Sequence, residues 1–294
     1  MSKIILVTGG AGHVGSHVVE VLAADKNNQI ISLDNYSNGS EKNHIAGVDY
    51  RRGNTSEIDR LVSEKPAIVF HLGEYARIAP SFDEPQKVFE SNIMGTMAIA
   101  EFCRRRKIKL VYAASSTRFA AGGEGRHQNP YSFSKATNVE LIADYGKWYG
   151  LEYAICYFYN AFGPREKGVG KYATVIAKFQ EQFLSGKPLT VTKPGDQKRN
   201  FTYVKDIARG MILVGERGEG DGYALNNPAA NSIVEIAEAF GGEINYQEGY
   251  AGRTDSGDIP TKAYELGWRP TVDVLDYIAE FVNSHQSRVS LVSK

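Results

Sequence analysis

The chain has 294 residues, 42% of them hydrophobic, which is enough for one large domain with a full core or for a domain plus a smaller lobe. Its 34 basic residues balance 34 acidic ones, so no net field favours nucleic acid or an anionic membrane surface as a partner. The two cysteines, Cys103 and Cys156, fit no metal spacing and no disulfide framework; with no apolar stretch of signal-peptide or membrane-span length either, a reducing cytoplasm is the expected compartment.

Apolar runs alternate with helical patterns along the first half. "IILVT" (4–8) predicts a buried strand and 13–24 a helix; "IISLD" (30–34) predicts the next strand. "AIVFHL" (67–72) and "KLVYAAS" (109–115) predict two more, separated by one long helix over about 84–106 whose basic end, 103–107, suits a solvated helix C-terminus. A helix over 131–149 leads into a strand over 153–160. Strands that are apolar throughout, alternating with helices, imply a doubly wound parallel sheet covered on both faces. After about residue 160 the pattern changes to helices near 171–185, 204–216, 232–240 and 272–284, with a short strand at 188–192 and a frayed tail. This predicts a doubly wound domain over 1–160 and a smaller α/β lobe over 161–294, interleaved with the first.

"VTGGAGHVGSH" (7–17) follows the first strand and opens the first helix, with Gly9, Gly12 and Gly15 in a G-x-x-G-x-x-G pattern. Glycines there permit a tight turn and let backbone N–H groups approach a pyrophosphate at the helix N-terminus. Asp34 ends the second strand, where a carboxylate can accept from an adenosine ribose and would repel a 2′-phosphate; this favours NAD over NADP. "NPYSFSKAT" (129–137) sets Tyr131 four residues before Lys135, on one face of a helix start. Alone that spacing is compatible with an ordinary helix. Two serines, Ser115 and Ser116, end the fifth strand.

In this order and on these elements the motifs resemble the extended short-chain dehydrogenase/reductase family, in particular its nucleotide-sugar epimerases, from residue 3 to about 284. The resemblance implies a Rossmann-type fold and bound NAD. It implies cofactor contacts at Gly9, Gly12, His13, Val14, Gly15, Asp34, Asn35, Asn38, Gly39, Asn54, Thr55, Leu72, Gly73, Asn92, Lys135 and Tyr159. Gly53-Asn54 stands where the family has Gly-Asp, so an amide would meet the adenine. His71-Leu72-Gly73-Glu74 stands for His-Leu-Ala-Ala, with His71 read as a structural residue. Asn92, Gly95 and Thr96 preserve the family's Asn-x-x-Gly-Thr. Tyr131 is the implied general acid/base, with Lys135 stabilising its phenolate. Ser115, with Ser116 as fallback, orients the substrate oxygen.

Dehydratases of the family carry Asp-Glu where this chain has Ser116-Thr117, which disfavours dehydration. The reading that follows is a 4-epimerase of a UDP-linked hexose that works through a transient 4-keto sugar. Asn160, Arg199 and Arg253 are the implied substrate contacts, the two arginines at the diphosphate, and Asn200 replaces the usual Asp. "KAYELGWRP" (262–270) matches a family helix. The loop from Phe119 to Tyr131 is short, with Ala120 for the usual glycine and His127 as a polar loop residue. Arg77 could face an acidic sugar, or be a surface or cofactor-side arginine. A reductase or decarboxylase of a nucleotide sugar and a non-catalytic dinucleotide sensor stay open as rivals. The resemblance also implies a homodimer built on the helices near 84–106 and 131–149.

Overall fold

The computed structural model describes residues 3–249 and 259–292, without the side chains of 121–123 and 286–292. Six strands come from the first 158 residues: β1 (Lys3–Thr8), β2 (Asn28–Asp34), β3 (Asp49–Arg52), β4 (Ile68–His71), β5 (Lys109–Ser115) and β6 (Tyr153–Phe158). They form a parallel sheet in the order β3-β2-β1-β4-β5-β6, and a seventh strand, Gly220–Leu225, adds in parallel to β6. The order reverses between β1 and β4, so the connections leaving these two strands diverge and open a crevice at their carboxyl ends.

Both faces of the sheet are dry because successive side chains alternate sides. Leu6, Val69, Leu110 and Tyr112 pack under Ile99 and Phe102 of the helix Gly95–Arg106 and under Val139 and Ile142 of the helix Pro130–Tyr149. Ile5, Val7, Phe70 and Val111 pack against Val18 and Leu22 of α1 (His13–Ala24) and against Ile207, Met211 and Val214 of the helix Val204–Arg217. A separate core of Phe162, Ile176, Phe179, Ile236, Phe240 and Ile278 holds the later segments together. Among the described residues no helix is long and apolar enough to cross a membrane.

Several elements depart from the sequence reading. The single helix expected over 84–106 is broken into Pro85–Phe89, a wider π-type turn Glu90–Met94, and Gly95–Arg106. Two packing demands meet there. Asn92 is fully buried within the turn, and Gly95 lies so close to Thr55 that a Cβ would fall 2.2 Å from its hydroxyl. The strand Gly220–Leu225 was not anticipated, because "GDGYAL" carries no long apolar run. The strand expected over 153–160 ends at Phe158, the helix expected from 171 begins at Val175, and the last helix runs on from Val274 to Val292 through the tail expected to fray.

Candidate active site

The crevice is a cleft of about 770 Å³. One wall is the glycine-rich loop between β1 and α1 with the ends of β2 and β4; the floor is the end of β5 with Tyr131 and Lys135; the facing wall comes from 158–161, 166–178 and 190–201. Of the residues expected at a cofactor, Gly9, Gly12, His13, Val14, Gly15, Asp34, Asn35, Asn38, Gly39, Thr55, Leu72, Gly73, Lys135 and Tyr159 line it.

The glycine loop is as tight as it can be. Gly9 has φ +72°, and a Cβ on it would lie 2.8 Å from the Leu72 carbonyl, while a Cβ on Gly15 would lie 2.1 Å from the Gly9 carbonyl oxygen. The turn closes through Gly12 N–H donating to Gly9 O at 3.0 Å and opens α1 towards the cleft. Asp34 is fixed beside it by two backbone amides, Ala11 N–H at 3.0 Å and Tyr36 N–H at 2.8 Å. Burial pushes its carboxyl upward, and those amides together with His44 and Arg52 oppose the shift. The His13 ring is pushed down to about 3 by burial and by the neighbouring His17, Arg77 and Arg165.

Two expected cofactor residues do not line the cleft. Asn54 turns away at an exposed helix start: it holds Asn35 at 3.0 Å, and its N–H donates to Glu57 at 3.1 Å. Asn92 is buried beneath the cleft, with its amide on the backbone of Tyr75 and on the Ser134 hydroxyl at 2.9 Å. Each amide finds local partners that compete with a ligand.

Tyr131 sits in the first turn of the helix Pro130–Tyr149. The start is set by Asn129, whose side chain accepts from Ser132 N–H at 2.8 Å, and by proline at the first helical position. Lys135, one turn on, is 6% exposed and donates to the Ala113 carbonyl at 2.5 Å and to the carboxylate of Glu74. Ser115 closes β5; its oxygen accepts from Thr117 N–H at 3.3 Å and from the Thr117 hydroxyl at 3.1 Å. Ser115, Ser116, Thr117, Tyr131 and Lys135 all border the cleft. His71 is wholly buried between the hydroxyls of Thr8 at 2.7 Å and Thr96 at 2.9 Å, and burial pushes it down to about 4. It braces β4 against β1 and does not reach the cleft.

On the facing wall Asn160 donates to Asn200 O at 2.8 Å, and Asn200 turns inward to the Asn227 carbonyl at 2.9 Å. Arg199 borders the cleft from the short strand Lys198–Asn200. Arg253 lies outside the described residues. Arg77 is half-buried and in no ion pair with a described side chain: it lines the cleft and donates to the carbonyls of Tyr172 at 2.9 Å and Ala76 at 2.7 Å. Two acids were missed by sequence reasoning. Glu166 borders the cleft, accepts from Gly163 N–H at 3.0 Å and is pushed up to about 7 by burial. Nothing in its spacing marks it. Glu74 was marked by standing where related chains have alanine.

The family model described as NAD dependent epimerase/dehydratase family matches residues 5–226. UDP-glucuronic acid decarboxylase 3 of Arabidopsis thaliana is 30% identical over 299 residues, 91% of this chain and 84% of its own. The solved UDP-glucose 4-epimerase of Thermotoga maritima with UDP-glucose superposes with TM-score 0.87 at 26% identity, covering 98% of this chain and 100% of that one. The UDP-glucose 4-epimerase of Thermus thermophilus in complex with NAD superposes with TM-score 0.84 at 29% identity, covering 96% and 98%. NAD is the cofactor, and the cleft fits it. The glycines let the turn fold back on its own backbone so that α1 opens at the cleft, the Asp34 carboxylate stands at the end of β2, and the buried Oδ1 of Asn38 has no hydrogen-bond partner among the described residues. The chain belongs to the NAD-dependent epimerase/dehydratase family.

Proposed function

We propose that the protein is a 4-epimerase of a UDP-linked hexose. The observation that carries this reading is the composition of the cleft floor: Ser115, Tyr131 and Lys135 border one cavity with the glycine loop, and the positions after Ser115 are Ser116 and Thr117 rather than acids. Bound NAD supplies reversible hydride transfer at C4 of the sugar. Tyr131 takes the proton of the 4-hydroxyl through its phenol oxygen and returns it when the ketone is reduced. The ammonium of Lys135, one helical turn away, stabilises the phenolate formed on the way. Thr117 donates twice to the Ser115 oxygen, which leaves the Ser115 proton to point at the sugar oxygen. Turnover of the ketone within the cleft exposes its other face. Arg199 and Asn160 on the facing wall are assigned to the diphosphate and the sugar, with Arg253 as a second diphosphate contact.

A second reading within the same chemistry is an acidic sugar nucleotide as substrate. It is favoured by Arg77, a cleft-wall guanidinium held by backbone carbonyls alone among its described hydrogen bonds, and by the kinship with UDP-glucuronic acid decarboxylases.

Mass spectrometry of the denatured protein tests for retained NAD, and anomeric NMR of UDP-glucose, UDP-galactose and UDP-glucuronate tests for turnover. Bound NAD with interconversion of the two neutral sugars supports the first reading. Interconversion of uronates alone, or release of carbon dioxide, replaces it with the second. No NAD and no reaction would sink both and favour a dinucleotide-sensing role.

A further inference from the structure

Glu74 is a carboxylate on the border of the cleft that Tyr131 and Lys135 also line. It follows Gly73, which lines the cofactor side of the cleft, and precedes Tyr75, which is clamped by Asn92. Its side chain is 1% exposed. Burying a carboxylate that deeply is costly unless it is paired and hydrogen-bonded, and here it is both. Oε1 accepts from the Thr96 hydroxyl at 2.7 Å and from Asn138 Nδ2 at 2.7 Å. The Tyr112 hydroxyl lies 3.1 Å from each oxygen, and Lys135 Nζ donates to Oε2. The charged or titratable groups that face this cluster are Lys135, His71 at 4.0 Å, Tyr112, and, beyond them, Tyr131 and Arg77. His71 is neutral at working pH, so among the described residues Lys135 is the one cation in direct contact.

The geometry has two consequences for Lys135. An ammonium has three N–H donors. One is spent on Glu74 and one on the Ala113 carbonyl, which leaves a single donor for the cleft. The ammonium's field is also met by an opposite charge in contact with it.

We propose that Glu74 is a positioning residue for the Tyr131–Lys135 pair: it orients the one remaining N–H of Lys135 and offsets the positive field that Lys135 exerts on the Tyr131 phenol. The inference rests on Tyr131 as the proton-transfer group, and it is independent of which sugar is the substrate.

The test needs no substrate. Ionisation of Tyr131 is followed in the NAD-bound protein as the near-ultraviolet tyrosinate absorbance, taken as the difference from the corresponding Tyr131→Phe protein. In Glu74→Gln, which keeps the size but removes the charge and one of the two acceptor oxygens, the phenolate should appear at lower pH than in the parent, by about one unit or more. Glu74→Ala, should the amide variant fail to fold, should move it in the same direction. An unchanged or upward-moved titration in a folded, NAD-bound variant would overturn the proposal and reduce Glu74 to a structural ion pair. Failure of the parent to turn over any sugar nucleotide would count against the epimerase reading and leave this titration intact.

Discussion

The side-chain amide of Asn92 clamps the backbone of Tyr75 from both sides: Oδ1 accepts from Tyr75 N–H at 2.7 Å and Nδ2 donates to the Tyr75 carbonyl at 3.0 Å. The loop after β4 is therefore held by a residue of the π-type turn below it, and Leu72, Gly73, Ala76 and Arg77 of that loop line the cleft. Asn92→Ala would take the amide donor from the part-buried Tyr75 carbonyl and leave Tyr75 N–H to the Ser91 hydroxyl at 3.1 Å, a loss of about 1 kcal/mol. Urea unfolding should read that loss. NAD titration should show weaker binding, although Asn92 does not border the cleft.

Tyr131→Phe removes the hydroxyl and little else. Its neighbours in the first turn, Asn129 capping Ser132 and Ser134 bonded to the Tyr131 carbonyl, use other atoms and stay in place. Turnover should fall by about 10²–10⁴, with retained NAD and thermal stability near those of the parent. A variant with undiminished rate would remove the phenol from the mechanism.

These two residues also show what could be read from sequence and what could not. The glycine turn, Asp34 at a strand end and the Tyr131–Lys135 spacing are local patterns, each complete within a dozen residues, and strand order carries them to one cleft. The direction of a side-chain amide is not local. Asn54 and Asn92 stand at expected positions, yet the first turns to Asn35 and Glu57 and the second to Tyr75, because nearby backbone and side-chain groups are as good partners as a ligand. The cluster around Glu74 draws Thr96, Tyr112, Lys135 and Asn138 from three separate elements, a convergence that exists only in the folded chain. The strand Gly220–Leu225 escaped for a related reason: its place is set by pairing with β6 and not by its own pattern.

Glu166 gives the fold a pH dependence of definite sign. Its carboxyl titrates at 4.5 as a free group and is pushed up to about 7 when folded, chiefly by burial, with the Thr174 hydroxyl, the Gly163 amide and Arg77 pulling the other way. Between these two values the folded chain binds the extra proton, so this residue's contribution is fully present below pH 4.5 and is lost as pH rises through about 7. The swing is about 3 kcal/mol. Glu166→Gln should match the parent near pH 4.5 and exceed it above pH 7 in urea unfolding of the NAD-free protein. Equal stability of the two proteins at both pH values would mean that the carboxyl is hydrated and charged throughout.

The helices Pro85–Phe89, Gly95–Arg106 and Pro130–Tyr149 lie side by side, and together they leave apolar rings and thioethers in water. Phe89 and Phe133, on different helices, touch edge to face at 6.1 Å, which joins their exposed surfaces into one patch. Met94 and Met97 extend it along the same helical run, and Trp148, 62% exposed, and Tyr149 stand at the far end of the long helix. Patches of this kind mark contact surfaces in otherwise polar exteriors, and a two-fold dimer is the commonest soluble assembly. We therefore propose that two copies pair through these helices, each covering the other's patch. Sedimentation should give twice the 32.4 kDa chain mass at micromolar concentration. Phe133→Glu with Met97→Glu should give the single-chain mass, because two like charges would then face their own images across the axis. NAD should still bind that variant, since neither residue borders the cleft. A parent that sediments as a single chain would leave the patch to some other partner.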